Sequence, residues 1–85
     1  MKIKIKVHLK LFSGIERELG IENYNRTEGF PVEVNSGTRL RSVLKKTGMK
    51  DISSNVFFIE GERVSVWRKL KDGDIISCLK PSGGG

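Results

Sequence analysis

Cysteine is nearly absent from this chain. Cys78 is the only one, with no second Cys and no His cluster at a ligand spacing, so neither a disulfide framework nor a zinc or redox site is indicated. Histidine is as scarce: His8 lies among lysines, with no Cys, Ser or acid nearby in sequence to complete a nucleophile and base pair, and it reads as a solvated residue. No run approaches the roughly 20 apolar residues that cross a bilayer, and the basic start alternates rather than running apolar like a signal peptide. A cytoplasmic protein without a membrane partner is expected. One Trp and one Tyr offer no platform for stacking bases, so nucleic acid is not an expected partner. Acids are the minority charge, 10 Asp and Glu against 16 Lys and Arg, and the resulting net +6 favours acidic partners through long-range attraction.

What is present suits one small domain. Eighty-five residues leave no room for a second core, and 36% hydrophobic content beside ten glycines is ordinary for a chain that folds alone. From Lys2 to Leu11 apolar and polar residues alternate strictly: Ile3, Ile5, Val7, Leu9 and Leu11 share one face, and Lys2, Lys4, Lys6, His8 and Lys10 the other. Period two over ten residues predicts a half-buried strand whose lysine side is solvated. Ser13 and Glu16 have the spacing of a capping box, Ile15 and Leu19 lie one turn apart, and Gly20 suits a stop, which predicts a short helix over 14–19.

Residues 21–30 are polar and rich in turn formers, and Pro31 to Asn35 resumes the alternation as a second strand. Leu40, Val43 and Leu44 mark one side of a longer helix, with Arg39, Arg41, Lys45 and Lys46 on the other and Gly48 at its end. Val56 to Ile59 runs into Glu60-Gly61 and returns through Glu62 to Val64, a hairpin. Lys71-Asp72-Gly73-Asp74 is a turn in which the two aspartates supply hydrogen bonds. It leads into a last strand, Ile75 to Lys80, that Pro81 brings to an end. The order predicts an α+β protein, a mixed sheet packed against one main helix over residues 1–80, followed by a Gly-rich tail over 81–85. If the first and last strands are neighbours, they must be parallel.

The chemistry converges on that tail. Gly83, Gly84 and Gly85 are no phosphate loop, since no Lys, Ser or Thr and no helix follows them. Pro81-Ser82-Gly83-Gly84-Gly85 is instead expected to be a thin, flexible arm. A carboxylate on Gly85, with a pKa of about 3.3–3.7, would be ionised at neutral pH. A carboxylate is a poor electrophile, so another protein must activate it, for instance as an acyl-adenylate, before a sulfur or amine nucleophile attacks. The chain is then a protein substrate and carrier rather than an enzyme, and binds no cofactor of its own.

Lys69-Leu70-Lys71-Asp72-Gly73-Asp74-Ile75-Ile76, followed by Pro81 and the terminal glycines, resembles the closing segment of the ThiS and MoaD family of β-grasp sulfur carriers. Leu9 to Gly20 also resembles the strand-to-helix entry of MoaD, the small subunit of molybdopterin synthase. The resemblance spans nearly the whole chain and is weakest over 21–29. It departs in having Glu60-Gly61 where many relatives have Asn-Gly, and in a third glycine before the usual pair. Trp67 before the turn is similar to some ThiS sequences, whereas the helix after the first strand favours MoaD.

The resemblance implies a β-grasp, ubiquitin-like fold. It also implies that a partner enzyme, using ATP, adenylates Gly85, and that the resulting thiocarboxylate gives its sulfur to a synthase subunit making molybdopterin, thiamin thiazole or a related product. Gly84 lets the tail thread. The alternatives are a ubiquitin-like modifier joined through Gly85 to target lysines, and a basic β-grasp module that binds RNA. Similarity to ubiquitin-like folds places Phe58 and Leu79 outward, as a partner-binding patch beside the tail, with Ile76 and Cys78 inward. Cys78 is expected to be a small buried hydrophobe.

Overall fold

The computed structural model describes residues 3–21 and 27–81. The alternating start forms β1 (Lys4–Leu11). It is followed by α1 (Ile15–Glu18), β2 (Phe30–Asn35) and α2 (Leu40–Lys46). A one-turn 3-10 helix over Ile52–Ser54, which no periodic pattern announces, precedes β3 (Val56–Ile59), β4 (Glu62–Val64) and β5 (Ile75–Leu79). The five strands form one sheet in the order β2-β1-β5-β3-β4.

β1 pairs antiparallel with β2, Val7 opposite Val32, and parallel with β5, Leu9 beside Ile76 and Leu11 beside Cys78. β5 pairs antiparallel with β3, Phe57 opposite Cys78. The parallel pair required of neighbouring first and last strands is therefore present, and α2 lies in the crossover between them.

One face of this sheet is dry. Val7, Leu9 and Leu11 of β1, Ile76 and Cys78 of β5 and Phe57 and Ile59 of β3 meet Leu40, Val43 and Leu44 of α2, all buried. The apolar side of α2 recurs at three- and four-residue spacing, the period that faces a sheet, and each buried Leu, Ile or Val contributes about 1.5–3 kcal/mol. Leu70 closes the core from the segment before β5.

Two expectations change. Ile3 lies on the apolar side of the pattern but is 69% exposed, because the pairing ends beside it: the Ser36 amide donates to the Ile3 carbonyl at 2.7 Å and the chain turns away toward α2. The Ser13–Glu16 capping box does not form. Gly14 (φ 82°) is the N-cap, no side chain caps the helix, and Ser13 lies outside it at φ 59°. Glu16 thus stands one position too early for a box, and its Oε2 is buried without a hydrogen-bond partner among the described residues.

Two glycines are demanded by the backbone. At the β3–β4 hairpin both central residues are left-handed, Glu60 at φ 52° and Gly61 at φ 78°, as a type I′ turn requires. Gly61 takes this freely, whereas Glu60 holds it at a cost of about 1–2 kcal/mol. At the entry to β2, Gly29 has φ +91°, and a Cβ there would lie 3.1 Å from the Leu9 carbonyl oxygen, so a side chain would be both strained and tight against β1.

Candidate functional site

The tail leaves from the middle of the sheet. β5 is hydrogen-bonded on both sides, to β1 and to β3, so its end is a rigid base for whatever follows. The register of that strand is set upstream by the Lys71–Asp74 turn, which docks on β1. The Lys6 amide donates to Asp72 Oδ1 (2.8 Å), the Gly73 amide to the Lys6 carbonyl (2.8 Å) and the His8 amide to the Asp74 carbonyl (2.9 Å). Asp74 Oδ2 also accepts from the Lys71 amide at 2.9 Å. Both aspartates thus act through hydrogen bonds, as the turn chemistry predicts, but Asp72 reaches across to another strand, which sequence spacing does not show.

At the far end of β5 the Phe12 amide donates to the Cys78 carbonyl (3.0 Å), which carries the parallel register one step past β1 and sets Phe12 beside Leu79. Lys80, the last residue before Pro81, makes an ion pair with Glu18 of α1 in which both side chains are partly exposed. Pro81 is exposed and has no amide to donate, which ends the pairing. Of the residues singled out by sequence, Ser82, Gly83, Gly84 and Gly85 lie outside the described residues.

The proposed docking residues lie where the face assignment puts them. Phe58 and Leu79 are on the side of the sheet away from α2, both half-buried, whereas their neighbours Phe57, Ile76 and Cys78 are buried inside. Val56 stands opposite Leu79, and Phe58 opposite Ser77. Ile75, 42% exposed, and Phe12, 44% exposed, extend the same apolar strip along β5 and to its end beside Leu79. Phe12 was missed by the sequence reading because it follows the last alternating residue. Its place by the tail comes only from the parallel pairing. The other half of this face differs in kind: β1 and β2 present Lys4, Lys6, His8, Lys10 and Glu33.

Cys78 is fully buried, and desolvation pushes its thiol up from an ordinary value of 9.0 to about 12. It is a core residue, not a nucleophile at neutral pH. His8 is half-buried on the lysine side. Among the described residues no group of three or more His, Cys, Asp or Glu could hold a metal ion, and no helix is long and apolar enough to cross a membrane.

No family model matches the chain, and no curated protein matches it in sequence. Solved structures do match. The fold is similar to that of a molybdopterin converting factor subunit 1 of Pyrococcus furiosus, with a TM-score of 0.67 and 21% identity, over 91% of this chain and 98% of the other. It is also similar to small archaeal modifier protein 1 (SAMP1) of Haloferax volcanii, with a TM-score of 0.67 and 16% identity over 94% and 99% of the two chains. The same protein of Methanosarcina acetivorans gives 0.66 and 20% over 98% and 99%. With the strand order and the parallel β1–β5 pair, these likenesses show the fold: a ubiquitin-like β-grasp.

Proposed function

We propose that this chain is a sulfur carrier of the ThiS and MoaD type, nearer to MoaD, whose reactive group is the carboxylate of Gly85. The observation that carries the proposal is a triglycine segment that follows the central strand of a β-grasp sheet, with a partly exposed apolar strip, among the described residues, at the end of that strand. Three glycines present no side chain, so Gly85 can enter a narrow active site while the domain stays outside. Leu79, Phe58 and Phe12 then dock on the activating enzyme, apolar residues that bury well at the centre of an interface.

ATP bound by that enzyme converts the carboxylate to an acyl-adenylate with loss of pyrophosphate. Hydrosulfide, or an equivalent sulfide-level donor, displaces AMP to leave a thiocarboxylate, whose sulfur passes to an acceptor held by a synthase subunit while water restores the carboxylate. This chain supplies the electrophilic carbon and the address, and no catalytic side chain. The setting is the cytoplasm, where ATP and the partner enzymes are found.

A second reading has the same activation but an amine acceptor, giving an amide to a lysine of a target protein. It is favoured by two of the similar structures, which are called modifier proteins.

Removing Gly84 and Gly85 tests both readings together. ATP-dependent adenylation by the partner enzyme should be lost while the melting temperature is unchanged, and unchanged adenylation would overturn both. Intact mass of the protein from its native cells separates the two: exchange of one oxygen for sulfur marks the carrier, and a ladder of conjugates marks the modifier.

A further inference from the structure

The tail and its apolar strip leave a different corner of the molecule unused. Between residues 36 and 50 the chain has five Lys or Arg and no acid, and between 63 and 71 it has four and no acid. The fold presses these two stretches together. The Leu40 amide donates to the Arg68 carbonyl (2.9 Å), the Arg41 amide to the Val66 carbonyl (2.7 Å) and the Leu70 amide to the Thr38 carbonyl (2.9 Å), while Arg39 and Lys69 form a β-bridge. Trp67 stands out from this junction at 58% exposure. The Arg41 guanidinium lies over its ring, 5.3 Å from the centroid, Arg39 Nη1 donates to its carbonyl at 2.6 Å, and its amide donates to Ser65 Oγ at 3.1 Å.

We propose that this corner, built from Trp67, Arg41, Arg39, Arg68 and Lys69, is a second docking surface that takes an acidic segment of a partner protein bearing an apolar anchor. Charge complementarity names the partner. The two stretches gather cations without an acid in either, and the first turn of α2 holds none. A carboxylate-bearing partner complements that charge.

The Trp names the anchor. Arg41 lies over its ring and Arg39 ties down its backbone carbonyl, so its large apolar surface is offered with less ordering left to lose on binding, and Trp and Arg are among the residues enriched at interface hot spots. A single-stranded nucleic acid fits less well, because successive bases need successive aromatic faces and this corner has one. The surface belongs to the helix layer, whereas the tail root belongs to the outer face of the sheet, so the inference stands whether or not Gly85 carries sulfur.

Trp67 is the only Trp, so its emission reads the corner directly. The full chain is titrated with three probes: a Glu-rich peptide with a central Leu, the same peptide with Ala for that Leu, and single-stranded oligothymidylate. The Leu peptide is expected to shift Trp67 emission saturably. Arg39→Glu with Arg41→Glu should weaken binding by about tenfold or more. Lys4→Glu with Lys6→Glu lowers the net charge equally and should change it by less than about twofold. The Ala peptide should bind about tenfold more weakly. Should the double Arg variant melt early, Trp67→Ala, followed by the peptide's own fluorescence label, must show the same loss. Equal losses from the two charge-reversed pairs, no response at Trp67, or tighter binding of oligothymidylate than of the peptide would each overturn the proposal.

Discussion

β5 carries apolar residues on both of its sides, and the two sides have opposite fates. Ile76 and Cys78 are completely buried under α2, while Ile75 and Leu79, one residue away in each case, remain partly open on the face away from it. Both sides carry large apolar residues, although Ser77 interrupts the outer one, so the hydrophobicity of Ile75 and Leu79 alone does not explain the difference. α2 is the longest helix among the described residues, and it covers one side of the sheet. The inner side holds the fold together, and the outer side is the one proposed above to meet a partner.

The sharpest way to break this comparison is to place the same charge on each side. Ile76→Glu buries a carboxylate with no counter-charge in a core that contains no buried polar or charged residue among those described. It should cost several kcal/mol of the roughly 5–15 kcal/mol that stabilises a domain, and thermal unfolding should show a collapse of the melting temperature. Leu79→Glu should leave the melting temperature nearly unchanged and weaken binding to the activating enzyme by about tenfold or more, measured by titration calorimetry. A large fall in melting temperature for Leu79→Glu, with none for Ile76→Glu, would mean that the two faces are exchanged.

A gentler probe uses the inner side's own titratable group. Burial raises the Cys78 thiol to about 12, so the folded state holds this proton more tightly than the unfolded chain, whose thiol titrates near 9.0. That contribution to stability is fully present below pH 9 and is lost as pH rises from about 9 toward 12. Chemical denaturation across this range should show a decline that Cys78→Ala reduces, and thiol labelling of the native protein at pH 8 should be slow. Rapid labelling would place Cys78 on the open side.

Much of this architecture was legible in local spacing. The alternation of β1, the Leu40, Val43 and Leu44 side of α2, the hairpin at Glu60-Gly61 and the turn at Asp72-Gly73-Asp74 all follow from short-range patterns. Each is decided by backbone geometry over a few residues. Features that depend on where one element stops against another were not legible. Ile3 keeps the alternation yet runs past the edge of cover, and the Ser13–Glu16 spacing fails because Gly14 takes the cap position. Phe12 lies by the tail only because the parallel register continues one step beyond β1. The Arg and Trp corner joins stretches about 25 residues apart that look, in sequence, like two ordinary solvated segments.

By itself the sequence determined which residues of each strand travel together, since side chains alternate with period two whatever the strand packs against. It also placed a run of glycines beyond the last strand, after Lys80, Pro81 and Ser82. Which side of β5 became the interior was not determined by its own residues, because both sides are apolar; resemblance to ubiquitin-like folds anticipated the answer without supplying its cause. The tertiary structure decided it by pairing Leu9 with Ile76 and Leu11 with Cys78. The bonds from Asp72, Gly73 and Asp74 to Lys6 and His8 hold that register, and a shift of one residue would turn every side chain of the strand to the other face.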